Sequence, residues 1–275
     1  AHTGPIFLAY RKNEGLQQMI DGWMNGHEPV YSFEARDGIR HCVWRVDEPE
    51  TVARMKEAFG QIPATYIADG HHRAASAVKV GLKRRQENPG YTGQEAFNYF
   101  LSVLFPEDQL KILPYNRVVS DLNGRSADEF LGEIAEHFQV ESLGGEPFAP
   151  QEKGTFGMIL EGQWYKLAAK PEILSSDPVK GLDVSVLQDW LLGPVLGIKD
   201  PRTDKRIDFI GGIRGLGELV RRTSQDMKVG FSMYPTSIEE LLAVADEGLL
   251  MPPKSTWFEP KLLSGLFIHP LDEIQ

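Results

Sequence analysis

The sequence predicts an α+β fold, mixed sheets flanked by helices. Apolar or alternating runs of strand length are interspersed with longer stretches of helical period. Their order is mixed, without the regular strand–helix–strand repeat that a parallel sheet requires. Size agrees: 275 residues, 41% of them hydrophobic, can bury a substantial core as one large domain or two modest ones.

Strands are expected at residues 5–10 (PIFLAY), 30–35 (VYSFEA), 41–46 (HCVWRV), 64–68 (ATYIA), 97–105 (FNYFLSVLF) and 156–160 (FGMIL). The run 163–169 (QWYKLAA) should pair back on 156–160 through a turn at Glu161-Gly162. Helices are expected over 13–25, 49–59, 70–86, 126–138, 183–192, 214–223 and 236–246. The last of these opens with Thr236 or Ser237 and places Glu239 and Glu240 in its first turn, a capping pattern. The stretch 141–154 (ESLGGEPFAPQEKG) is rich in Gly, Pro and charge and is expected to be a linker or subdomain edge. Domains are accordingly expected over 1–145 and 146–275.

The 39 acidic residues outnumber the 29 basic ones, for a net charge of -10. Such a surface repels polyanions, so no nucleic-acid or anionic-membrane partner is expected. A small anion such as a nucleotide remains compatible, because a local cluster of donors can override the global field. The single cysteine, Cys42, excludes an intramolecular disulfide and fits a reducing, cytoplasmic compartment. Its place in a strand-like run predicts a buried, inert thiol rather than a nucleophile. No apolar run reaches the ~18 residues of a membrane span, and no signal peptide is visible. The abrupt start AHTGPIFLAY, without Met, suggests a fragment or processed chain.

The most chemically loaded segment is Asp69-Gly70-His71-His72-Arg73, between the strand-like ATYIA and an alanine-rich helical run. Asp69-Gly70 should form the strand-to-helix turn, with both histidines and Arg73 in the first helical turn. The free N–H groups and positive dipole end of a helix attract anions. Three potentially cationic side chains there oppose the dipole unless something negative binds. Arg73 could then hold phosphate oxygens bidentately, with His71 or His72 donating a hydrogen bond. Asp69 could cap the helix, bind Mg²⁺ or accept a proton from a hydroxyl. Two other readings stand beside this one: a cap without function, and a transition-metal site. Adjacent histidines point about 100° apart on a helix, which disfavours the metal, and none is assigned.

Elsewhere, GLLMPPKST (248–256) nearly spells a P-loop, but Pro252 and Pro253 remove the backbone donors such a loop needs. Lys254, Ser255 and Thr256 remain a compact donor cluster, either phosphate-contacting or a satisfied surface turn. The glycines of DFIGGIRGLGEL (208–219) lack dinucleotide-binding spacing. Gly212 with Arg214 either shapes an anion pocket or forms a plain tight turn. The Glu239-Glu240 and Asp246-Glu247 pairs read as solvated helix faces. Hydrolase G-x-S-x-G and cysteine-based zinc patterns are absent from the sequence.

The segment YIADGHHRAASA resembles the signature of the family called domain of unknown function 1015. Residues 228–272 resemble that family's C-terminal block, and AHTGPIFLAY resembles its HTGPI region. Family members usually carry a His/Arg/Asp-rich segment ahead of that region, and often a histidine where Asn116 stands in LPYNRVV. More distantly, DGHHR is similar to the Asp-Gly-His-x-Arg motif of free-serine kinases in the ParB/sulfiredoxin superfamily. That resemblance implies a nucleotide-phosphate site at Gly70, His71, His72 and Arg73, an acidic role for Asp69, and ATP or ADP with Mg²⁺ as cofactor. The function it implies is phosphoryl transfer to a small hydroxylated metabolite, with the second half supplying a lid or substrate surface. The alternatives are a nucleotide sensor that transfers nothing and a phosphate-monoester hydrolase. The acceptor, the nucleotide base and the oligomeric state are left open.

Overall fold

The computed structural model describes residues 1–272. The protein is α+β, as the mixed element order predicts. It divides into two compact units, Ala1–Leu110 with the segment from Lys261 onward, and Lys111–Pro260. The expected boundary at 145/146 thus falls inside the second unit.

The first unit is built on a three-stranded sheet. Its central strand, β1 (Ile6–Tyr10), is buried along its whole length. After helix α1 (Glu14–Gly26), an exposed hairpin pairs β2 (Tyr31–Glu34) with β3 (Arg40–Val43). Helix α2 (Pro49–Gly60) follows, then β4 (Thr65–Asp69), helix α3 (His71–Glu87) and β5 (Ser102–Pro106). β4 runs antiparallel and β5 parallel to β1. Two expectations fail here. Residues 96–98 form a single 3-10 turn, so only the second half of FNYFLSVLF is strand. Cys42 is exposed, because it points to the open face of the hairpin while His41 and Val43 point to the half-covered one.

The second unit centres on a six-stranded antiparallel sheet. Its elements are β6 (Lys111–Leu113), β7 (Tyr115–Val119), α4 (Ala127–His137), β8 (Phe138–Gly144), β9 (Thr155–Leu160) and β10 (Gln163–Ala169). There follow the short helix α5 (Asp183–Leu187), β11 (Ile207–Gly211), α6 (Gly215–Gln225), β12 (Val229–Met233), α7 (Ile238–Asp246) and β13 (Trp257–Glu259). The sheet order is β11-β7-β12-β9-β10-β8, and β13 pairs separately with β6. Strand alternation splits the core. Phe156, Met158, Leu160, Val229, Phe231 and Val119 join the main cluster with residues of α4 and α5, while Val118, Ile159, Trp164 and Ile210 pack on the opposite face with Leu219 of α6.

The β9–β10 hairpin turns where expected, with Glu161 and Gly162 at φ of 50° and 75°. Two positive angles in succession are what a tight type I′ connection requires. At α7 the cap is Ser237: its Oγ accepts from the Glu240 amide at 3.1 Å, and Glu240 Oε2 accepts from the Ser237 amide at 2.9 Å. The expected linker at 141–154 is corrected. Its first residues continue β8, and the carbonyl of Phe148 accepts from Ser232 Oγ at 2.7 Å, which ties the segment to the sheet.

Candidate functional site

The strand-to-helix turn forms as the change in residue type predicts, with β4 running one residue further than expected. β4 ends at Asp69, Gly70 occupies the turn, and α3 begins at His71. Gly70 has φ 92° and ψ 28°, a left-handed conformation that costs glycine little and side-chain-bearing residues more. Gly70, rather than Asp69, therefore takes the N-cap position, and no side chain caps the first turn of α3. The cap-only reading of Asp69 fails on this geometry. Its Oδ1 accepts from the Gly70 amide at 2.7 Å, bracing the turn without reaching the helix amides.

Arg73 completes the turn. Its guanidinium folds back over Gly70, and its side chain also lies beside Gly4, where an added Cβ would stand 3.6 Å from Cδ. Its Nη2 is 3.9 Å from Asp69 Oδ2, and Lys261 Nζ lies at the same distance from that oxygen. The Asp69 carboxylate thus has one oxygen held by an amide and the other facing two cations. All three charged side chains are roughly half exposed, so the cluster is open to a solute. His71 and His72 are exposed on the same helical turn. Among the described residues no three His, Cys, Asp or Glu side chains gather as a metal-holding group.

The chemistry available here is anion binding. Uncapped helix amides, the positive end of a 17-residue helix and a guanidinium converge on one turn. Lys261 was not foreseeable, since nothing local in the sequence relates it to Asp69.

The remaining expected site residues lie in the second unit. Ser255 is buried, and its hydroxyl donates to the Pro252 carbonyl. Its own carbonyl is reached by Thr236 Oγ1 at 3.4 Å. Thr256 follows it, half-buried. Lys254 is exposed, has φ 54°, and holds Nζ 5.4 Å from the centre of the Tyr115 ring. Gly212 follows the tight-turn reading: its amide donates to the Pro114 carbonyl at 2.8 Å, and a Cβ would strike Pro114. Arg214 pairs loosely with Glu218 at 3.7 Å. Asn116 is buried and structural, its Oδ1 accepting from the Met233 amide at 3.0 Å.

A family model described as a protein of unknown function, DUF1015, matches residues 1–185. No curated protein matches. Among solved structures, a free serine kinase in complex with AMP is 15% identical, covering 92% of this chain and 83% of that one, at a TM-score of 0.37. A mutant free serine kinase in complex with ADP is 16% identical over 92% of this chain and 84% of that one, at 0.36. A conserved hypothetical protein from Pyrococcus furiosus is 15% identical over 92% and 86%, at 0.37. Likenesses at these scores carry no argument about activity. Among the described residues no helix is long and apolar enough to cross a membrane.

Proposed function

The chain belongs to the DUF1015 family of proteins of unknown function, and from that premise we propose that the turn between β4 and α3 binds the phosphates of a nucleotide such as ATP or ADP. The observation that carries this reading is the uncapped start of α3 with the Arg73 guanidinium folded over its glycine. A phosphate there would accept from the first-turn amides and from the guanidinium, neutralising a cationic cluster that otherwise opposes the helix dipole. His71 and His72 stand on the same turn as further donors, and Lys261 adds a second charge.

The activity this binding serves is phosphoryl transfer to a small hydroxylated metabolite. The acceptor oxygen attacks the terminal phosphorus, the bond to the departing nucleotide (ADP from ATP, AMP from ADP) breaks, and the hydroxyl proton passes to Asp69 where it is the base, or to water where it ligates the ion. Mg²⁺ commonly binds through one or two carboxylates plus phosphate oxygens, and Asp69 Oδ2 is not held by an amide. That one oxygen either ligates an ion that arrives with the nucleotide or takes the proton, so Asp69 fills one of the two roles.

A second reading, nucleotide sensing without transfer, has its own support. The charged groups placed next to Asp69 Oδ2 are Arg73 and Lys261, both cations, where a kinase would gain from a second acid. Calorimetric titration with ATP and ADP, with and without Mg²⁺, tests binding. Incubation with ATP and a panel of hydroxylated metabolites separates the two readings. Product phosphate esters mean transfer, binding alone means sensing, and release of phosphate from monoesters means hydrolysis. The binding proposal fails if neither nucleotide binds under either condition.

A further inference from the structure

Arg117, in the middle of β7, has a charge that the strand around it does not explain. Its partners in register are Phe231 on β12 and Phe209 on β11, and on a strand it shares a face with Val119, which belongs to the main core cluster. Only 3% of the residue is exposed. Of its five N–H donors, one reaches a carbonyl, Nη1 to Tyr115 O at 2.9 Å. The guanidinium carbon lies 5.6 Å from the centre of the Phe209 ring. Burial alone, with no neighbouring carboxylate, shifts its titration.

A buried charge without a counter-ion is unfavourable, and buried arginines are ordinarily matched by carboxylates or phosphates. Burial pulls the Arg117 pKa down to about 10, which still leaves the group positive at neutral pH. A second cation, distant in sequence, is brought to the same strand. Lys254, held at φ 54°, places its ammonium over the ring of Tyr115, two residues from Arg117 and on the same strand face. Both cations are in the second unit.

We propose that this end of the six-stranded sheet is a binding site for a small anion, a carboxylate or a phosphate, with Arg117 as its buried counter-charge and Lys254 at its rim. The planar fork of the guanidinium suits both ligands, since each can accept two parallel hydrogen bonds. Arg117 and Lys254 belong to the second unit and Arg73 to the first.

The test is a titration of the ¹⁵N-labelled wild-type chain, following the Arg117 Nε–Hε resonance assigned through its own intraresidue correlations. Inorganic phosphate is the probe in one arm and succinate in the other, with chloride at matched ionic strength as control. The expected result is a saturable shift of that resonance at low-millimolar probe in at least one arm, which also tells phosphate from carboxylate. The same shift should persist in Arg73→Ala. A resonance that responds no more to either probe than to chloride overturns the proposal, as does a response that disappears with Arg73→Ala. In parallel, Arg117→Met should be at least as stable as wild type in chloride, because it removes an unpaired buried charge. It should also lose the thermal stabilisation that the effective probe confers on the wild type.

Discussion

The Arg73 guanidinium lies so close over Gly70 that a β-carbon on that glycine would meet Nη2 at 2.7 Å. The left-handed turn and the folded-back arginine are therefore one feature, since the space the arginine occupies exists only because residue 70 has no side chain. Gly70→Ala should cost about 1–2 kcal/mol from the left-handed backbone alone. It should also displace Arg73 and weaken nucleotide binding. Denaturant unfolding and calorimetry on the same preparation check both effects. An alanine variant with wild-type stability and affinity would refute the linkage.

Arg73→Ala should leave the fold intact, because the side chain is about half exposed and its pairing with Asp69 is long, at 3.9 Å. Exposed pairs of that kind contribute roughly 0–1 kcal/mol. Affinity for ATP or ADP should fall at least tenfold, since a charge-assisted hydrogen bond is worth about 1.5–3 kcal/mol. Unchanged affinity in a folded variant removes Arg73 from the site.

Legibility in the sequence followed the range of the forces involved. Helices were readable because their signals are local: the Ser237/Glu240 capping box and the start of α3 both fall within two residues of expectation. The hairpin at Glu161-Gly162 was equally local. β8 was not readable, because its Gly-rich end mimics a linker and only pairing with β10 makes it a strand. The domain limits were hidden for the same reason. β7, β11 and β12 are far apart in sequence yet adjacent in one sheet, so the second unit begins at Lys111. At the site, Asp69 to Arg73 could be read from composition, whereas Lys261 and the unpaired state of Arg117 are tertiary facts. In the motif LPYNRVV the asparagine is structural, and the buried charge is on the arginine beside it.

Asp183 makes stability depend on pH. Its buried carboxyl accepts from the Gly154 amide at 2.9 and 3.1 Å, yet burial raises its pKa to about 7. The folded value exceeds the ordinary 3.8, so the folded chain holds a proton that the unfolded chain gives up. This contribution to stability is complete below about pH 4 and is lost as pH rises through about 7. Asp183→Asn keeps an acceptor for Gly154 and never ionises. It should be more stable than wild type at pH 8 by on the order of a few kcal/mol, and close to wild type near pH 4. Urea unfolding at both pH values measures this. An equal difference at the two would contradict the assignment.

Asp69 is where transfer and sensing part company. Its Oδ1 braces Gly70, and an asparagine oxygen can accept the same hydrogen bond, so Asp69→Asn should fold normally. The ion pairs it loses, to Arg73 and Lys261, are both long and exposed, and their loss should change stability by less than about 1 kcal/mol. Nucleotide binding without Mg²⁺ should persist or tighten, because a negative charge facing phosphate is gone and both cations are released towards the ligand. With Mg²⁺ the advantage should shrink, as the carboxylate oxygen available to the ion is lost. Transfer should fall by about two orders of magnitude or more, the usual scale for removing a general base. Single-turnover phosphoryl transfer measured beside calorimetry on one preparation reads all of these. Full transfer in the Asn variant would end the catalytic role of Asp69 while leaving phosphate binding intact. A large loss of stability would instead make its charge pairing with Arg73 and Lys261 its main function.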